Sequence, residues 1–445
     1  MLQADARGVE PVSDISLPLG GPLVAVEGQP APAIASSVLS GSTSSLATTR
    51  AAASRSVDLP LFRLRGRIDS DFIWVDQSAS NVADFGSLSD TVGLRRARIG
   101  GEGHLADDVR YIGEIDLATG DVVLRDGYLG IGNLRRTGEF RFGHFREPFS
   151  LEGNTSANSF AFMERSPVNH LDPARNWGVA YFRCNSNEDA TFAAGVFQSG
   201  TDASDVEFGP GSDTAATMRL TIVPWWNPAR HRLVHAGVAL SARVPNDGIV
   251  SIGEGPNSPL LDFGDSSTSP FVSTISVPAD FQQLFNAQGA YTDGRLTVQA
   301  EWYGTIVDQD VGAPLLFHGS YIQGSYFLAG GRREYERQQG VFGAVNVDNP
   351  VLPCFSSSDD RTQRGWGAWE ATARCSYLDF LDSDTPPGPQ GQIVGVRMPQ
   401  FACGINWYLA DRLRILVNYT LAVPDEPNTG TSTASLLAMR LGVFW

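Results

Sequence analysis

The sequence contains no lysine; all 33 of its basic residues are arginine. A genome biased toward arginine codons is the simplest explanation, yet every cationic site is thereby a planar, permanently ionised guanidinium. Long hydrophobic runs are missing too. No stretch approaches the ~18 apolar residues of a membrane-spanning helix, which excludes that mode of insertion. The four cysteines, Cys184, Cys354, Cys375 and Cys403, lack the C-x-x-C spacing of a metal site and are too few for a disulfide scaffold. Cys375 and Cys403 would lie opposite each other if their strands form a hairpin. A cross-strand bridge and two small apolar fillers both remain open there. Charged residues make up only 18%, below the ~25% of ordinary soluble domains. The net charge of -16 argues against nucleic acid as a partner. Six histidines (His104, His144, His170, His231, His235, His318) form no H-E-x-x-H pair, and no G-x-S-x-G, P-loop or dinucleotide-binding turn occurs. "DFG" at 262–264 stands without any other kinase element. An enzyme is not expected, and no cofactor or metal is implied.

What is present is glycine, 47 residues, and short alternating segments. Residues 1–58 stand apart. "APAIASSVLSGSTSSLATTRAAASRS" (31–56) is Ala/Ser/Thr-rich without a period and reads as a disordered lead-in. Met1 is followed by Asp5 and Glu10, not by a basic region and an apolar stretch. No signal peptide is read there, so export would require a signal outside these residues.

Residues 59–445 read as one β unit. Sixteen strands are expected: 62–75, 92–105, 108–118, 121–132, 137–147, 177–184, 190–199, 216–224, 232–243, 283–292, 294–307, 317–330, 365–380, 399–410, 412–422 and 436–445. Links after even strands are mostly tight, such as "LADD" (105–108) and "LAD" (409–411). Links after odd strands are mostly long: 76–91, 148–176, 200–215, 244–282, 308–316, 381–398 and 423–435. That asymmetry matches the short periplasmic turns and longer outer loops of a transmembrane antiparallel β-barrel. Two links depart from it: 331–364 is long where a short turn is expected, and 118–121 is tight where a loop is expected.

Alternation separates the two faces. Leu437, Met439, Leu441, Val443 and Trp445 oppose Ala438, Arg440, Gly442 and Phe444. Val298, Ala300, Trp302 and Ile306 oppose Gln299, Glu301, Tyr303 and Thr305. A soluble sandwich or propeller would turn the polar face to bulk water. In an all-β barrel of this size that face encloses an aqueous lumen while lipid covers the other. Trp74, Trp225, Trp226, Tyr408 and Trp445 lie near strand ends, as interfacial girdles require.

The stretch "LRRARIGGEGHLADDVRYIGEIDLATGDVVLRDGYLGIG" (94–132) precedes "RFGHFREPFSLEGNTSANSFAFMERSPVNHLDPARNWGVAYF" (141–182). With "GWGAWEATARCSYLDF" (365–380), "GINWYLADRLRILVNY" (404–419) and "MRLGVFW" (439–445), these resemble the phosphate-selective porin O and P family over residues 60–445. The resemblance implies a sixteen-stranded outer-membrane barrel, a homotrimer that passes small anions, with 148–176 folded inward as a constriction loop. It also implies a lysine near "TSANS" in phosphate-selective members. This chain has Asn158 and Ser159 there, so a general anion preference is the safer expectation, with an unselective or cation-preferring pore, or a blocked structural or adhesive barrel, as alternatives.

A pore selects by fixed charge that concentrates the opposite ion. Arg63, Arg65 and Arg67 alternate on the first strand, and Arg96 and Arg98 on the second. They are expected to form a lumen ladder with Arg219 and Arg243. Arg374, Arg414 and Arg440 also fall on polar faces. The opposing reading pairs these arginines with Glu102, Glu114 and Asp116 in a structural network. In the loop, Arg146, Arg165 and Arg175 are the constriction candidates. The terminal aromatic Trp445 resembles the aromatic read by barrel-assembly machinery.

Overall fold

A computed structural model describes residues 61–118, 120–199, 213–246, 248–252, 275–355, 364–381, 395–427 and 429–445. The lead-in expected over 1–58 lies outside the described residues.

Sixteen antiparallel strands close into a barrel. They are β1 (Leu61–Gln77), β2 (Thr91–Ala106), β3 (Val109–Asp116), β4 (Val123–Asn133), β5 (Gly138–Arg146), β6 (Arg175–Cys184), β7 (Ala190–Ser199) and β8 (Asp213–Asn227). Then come β9 (Arg232–Val244), β10 (Ile275–Asp293), β11 (Leu296–Gln309), β12 (Leu315–Ala329), β13 (Ala368–Asp379), β14 (Arg397–Ala410), β15 (Leu413–Ala422) and β16 (Ala434–Phe444). All sixteen expected strands are found, most displaced by only a few residues at their ends.

The alternating pattern forms this wall because a two-residue period puts every second side chain on the same side. On β11, Trp302 is exposed on the outside while Glu301, Tyr303 and Thr305 are buried inside. On β16, Leu437 and Leu441 point out and Arg440 is fully buried. Lipid-facing leucines and a shielded interior thus follow directly from the pattern. Two aromatics of the expected girdle depart from it. Tyr408 is buried, with its hydroxyl donating to Glu370 at 2.7 Å. Trp226 receives the guanidinium of Arg337 at 5.3 Å from its ring centre. A register shift between Ile222 and Trp225 accompanies that change of phase. Trp369 and Trp407 instead stack at 5.0 Å near the short-turn rim.

The barrel closes where β1 pairs with β16. Gly66 exchanges two backbone hydrogen bonds with Trp445, both 3.1 Å. A Cβ on Gly66 would lie 2.2 Å from Cζ2 of the Trp445 indole, so the close seat requires glycine. Further up the seam Asp71 is opposite Arg440. The pair is bidentate, 2.6 Å in both bonds, and fully shielded from solvent.

Cys375 and Cys403 are free thiols. Their strands do pair, but Cys375 is opposite Phe401 and Cys403 opposite Ala373. The two-residue offset removes the bridge that direct opposition would have allowed.

Breaking a buried ion pair by removing one partner costs ~3–5 kcal/mol, because a charge is left uncompensated. Arg440→Met should therefore lower the temperature at which the folded, fast-migrating gel band of the barrel converts to the unfolded one. An unchanged transition would show that the seam pair contributes nothing.

Candidate functional site: an arginine-lined lumen

Two segments enter the tube. The first is the loop 147–174 between β5 and β6. Phe149, Leu151, Val168 and Leu171 are buried, and Phe149, Val168 and Leu171 join a cluster with Tyr303, Phe317 and Tyr321. Polar ties fix the rest. The Glu301 carboxylate accepts the backbone N–H groups of Leu151 at 2.8 Å and Glu152 at 2.7 Å. Arg414 donates to the carbonyls of Ala157 at 2.8 Å and Asn158 at 2.7 Å. Asn406 donates to Ala161 O at 2.7 Å, and the Met163 N–H to Asn418 Oδ1 at 2.8 Å. The loop is therefore held against β10–β16, as its expected role as a constriction requires.

The second segment was visible in sequence only as an anomaly. The link after β12 contains a hairpin, Gly331–Glu336 paired with Val341–Val347, and it lies inside the barrel. Arg333 at its root donates to both oxygens of Glu370, 2.7 and 2.9 Å, and to Ser159 O of the inward loop. Tyr335 is hydrogen-bonded to His235 Nδ1 at 2.6 Å. At its tip Arg337 donates to Asn187 O at 2.5 Å.

Beside these two segments, the described residues enclose a cavity of about 570 Å³. Fourteen arginines and five carboxylates line it. Arg63, Arg65, Arg67, Arg96, Arg98, Arg146, Arg165, Arg175 and Arg219 all reach it, so nine of the ten nominated pore arginines share one chamber. Arg243 does not; it binds Glu147 at 2.6 Å, at the start of the inward loop.

Sequence reasoning missed Arg95. The β1–β2 register shifts between Asp69 and Ser70, whose partners are Arg96 and Leu94. Arg95 is the extra residue of that bulge, and a bulge turns two consecutive side chains the same way. Arg95 and Arg96 both reach Glu164, at 3.1 and 2.9 Å. "RR" followed by alternation was the available sign.

The arginines are also paired, as the opposing reading held. Arg65 meets Glu102 and Glu114, both at 3.0 Å. Arg98 meets Asp116 at 2.7 Å and Glu114 at 3.6 Å. Arg63 is near Glu102 at 3.5 Å but is 63% exposed. Arg175 forms a fork on Asp126 at 3.1 and 3.2 Å. Arg146 meets Asp172 at 2.9 Å. Arg67 contacts Asp69 at 2.6 Å and Ala157 O at 3.2 Å. Arg165 binds the Glu152 and Gly153 carbonyls at 3.2 and 3.0 Å and lies over the Phe160 ring at 4.6 Å; it staples its own loop. Arg219 holds Gln288 at 2.7 Å and the hairpin carbonyl of Gly340 at 2.7 Å. Trp445 borders the cavity at the β1 seam.

Two carboxyls of the inward loop have opposite electrostatics. Burial would raise Glu164, but Arg95, Arg96 and Arg440 around it hold it well below the usual carboxylate range. Burial pushes Glu152 up to about 7; Arg374 opposes this and the nearby Glu301 adds to it. Its oxygens accept the Ser166 N–H, at 3.0 and 3.2 Å. An acid whose folded pKa is raised binds its proton more tightly when folded. Its contribution is complete below the usual glutamate range and declines as pH rises through about 7. Thermal unfolding should therefore occur at higher temperature at pH 5 than at pH 8. Glu152→Gln should flatten that difference, and an undiminished slope in the variant would assign it elsewhere.

The sequence profile of the family described as phosphate-selective porin O and P matches residues 62–444. Porin O of Pseudomonas aeruginosa is 24% identical over 389 residues, covering 82% of this chain and 83% of that protein. An uncharacterised protein of Caulobacter vibrioides is 26% identical over 373 residues, covering 81% of this chain and 68% of that one. Among solved structures, OmpT of Vibrio cholerae in its trimer form superposes with a TM-score of 0.50 at 13% identity, over 86% of this chain and 99% of that one. That likeness concerns the fold. The family and the fold are those of channels. With a closed sixteen-stranded barrel, an apolar outer face and a charged lumen, the chain belongs to the phosphate-selective porin O and P family and is a bacterial outer-membrane porin.

Proposed function

We propose that the barrel is a passive pore for small anions. The observation that carries this is the cavity wall, where arginines outnumber carboxylates fourteen to five although the whole chain is net negative. Fixed positive charge in a narrow, low-dielectric tube raises the local concentration of anions and depletes cations. The paired acids neutralise part of the ladder without reversing it. The facing surface of the inward loop offers Asn154, Thr155, Ser156, Asn158 and Ser159. These uncharged hydrogen-bonding groups suit an oxyanion such as phosphate opposite the guanidiniums. The porin is proposed to work as a homotrimer in outer-membrane lipid, with Trp445 read during barrel assembly.

The test is the zero-current potential of the refolded protein in a planar bilayer across a KCl gradient. It should fall on the chloride side, and added phosphate should reduce the chloride current. One unit charge at ~8 Å in water is worth ~0.5 kcal/mol, about twofold in local ion concentration. Replacing Arg63 and Arg65 by Gln should accordingly lower the chloride-to-potassium permeability ratio by at least about twofold. A potential on the potassium side in the wild-type protein would refute the proposal.

A further inference from the structure

The cavity is one-sided. Its lining comes from β1–β8, the inward loop, the hairpin and the seam near Trp445, with none from β9–β14. Behind the loop and hairpin, against β11 and β12, a second space holds only about 20 Å³. That is room for about one water molecule.

The hairpin produces this asymmetry by crossing the tube. Its root is tied to β13 and β14 through Arg333, Glu370 and Tyr408. Val345 and Val347 pack there on Phe327, Ala368 and Tyr408. Its tip reaches the far wall. Gln338 donates to Glu188 at 2.9 Å, Arg219 of β8 holds Gly340 O, and Gly340 packs against Thr191 and Thr221 of β7 and β8. Midway, Phe342 and Val341 are buried with Leu151 of the inward loop and Ala290 of β10. Anchored at both ends and in the middle, the hairpin is a crossbar. Its cavity-facing residues, among them Ala344, Gln338 and Gln339, carry no positive charge.

We infer that the hairpin 331–347 is a selectivity determinant: by spanning the short-turn mouth and filling the side along β9–β14, it forces every solute past the arginines of β1–β8. This rests on the anion-pore reading. The hairpin sharpens selectivity by removing a bypass in which Arg243 and Arg374 are matched by acids, without itself binding the ion.

The experiment compares single-channel conductance and zero-current potential in KCl for three variants. In one, Asn-Gly replaces 332–347. Opening the filled side should raise conductance by about twofold or more and move the permeability ratio toward unity, since the arginines of the added section, Arg243 and Arg374, are matched by Glu147, Glu152, Glu301 and Glu370. The other two keep the hairpin. Ala344 is exposed to the cavity, so Ala344→Asp should lower chloride preference and Ala344→Arg should raise it, both at near wild-type stability. Wild-type conductance and selectivity in the shortened chain would overturn the inference. If that chain does not fold, the Ala344 pair decides, and unchanged potentials in both would overturn it. A wild-type protein without chloride preference would refute the anion reading instead; the conductance of the shortened chain would then still judge the crossbar.

Discussion

The carboxylate of Glu164 accepts three guanidiniums: Arg440 at 2.6 Å, Arg96 at 2.9 Å and Arg95 at 3.1 Å. They come from two structural decisions, and the carboxylate from a third. Arg440 is on the closing strand β16 and is also bound to Asp71 of β1. Arg95 and Arg96 are both available only because β2 bulges. Glu164 itself is on the inward loop. Barrel closure, the bulge and the docking of the constriction therefore meet at one carboxylate. Remove it and three buried or nearly buried cations lose their common counter-charge, in surroundings where an unpaired ion costs several kcal/mol.

This explains how a lumen can be crowded with arginine and remain folded. Like charges on adjacent strands repel at the ~5 Å spacing of a sheet. The acids placed among them, Asp69, Asp71, Glu114 and Asp116, relieve that repulsion in the wall. Charge-assisted, forked bonds also fix the side chains, so the pore wall is a rigid lattice of donors. The rung most free to meet solute is Arg63, at the short-turn end, where exposure is greatest. Deeper arginines hold the loop that narrows the tube: Arg414 and Arg374 bind its backbone carbonyls, and Arg165 staples it from within.

The wall was legible in sequence because a barrel in lipid is the most repetitive of environments. A two-residue period decides the side of every residue, so sixteen segments and the inward position of Arg63, Arg65, Arg67 and Arg98 follow from counting. What was not legible breaks that period. The bulge at Arg95 shifts the phase by one residue, and the doubled arginine in "GLRRAR" is the single local sign of it. The register of β13 on β14 is not encoded in the alternation of either strand, so the offset of Cys375 from Cys403 was beyond reach of pattern alone. Tyr408 and Trp226 looked like interfacial aromatics because position along a strand was legible and the presence of an inner hairpin to receive them was not.

The hairpin shows where sequence logic fails in an instructive way. The long link 331–364 contradicted the rule of short turns, and the contradiction was the signal. A long insertion at the short-turn end can hang in water or enter the tube. "GRREYE" and "VFGAVNV" alternate as a two-faced ribbon. Phe342, Val345 and Val347 need a second apolar surface, which the interior supplies at Leu151, Phe327 and Ala368. Arg333 needs an acid, and Glu370 is the buried one within reach. The same polar interior that excludes lipid thus accepts a folded insert, and the space left over, not the barrel's diameter, defines the channel. Charge is for that reason a local property: in a chain of net negative charge, the packed elements leave open the side on which arginines are concentrated.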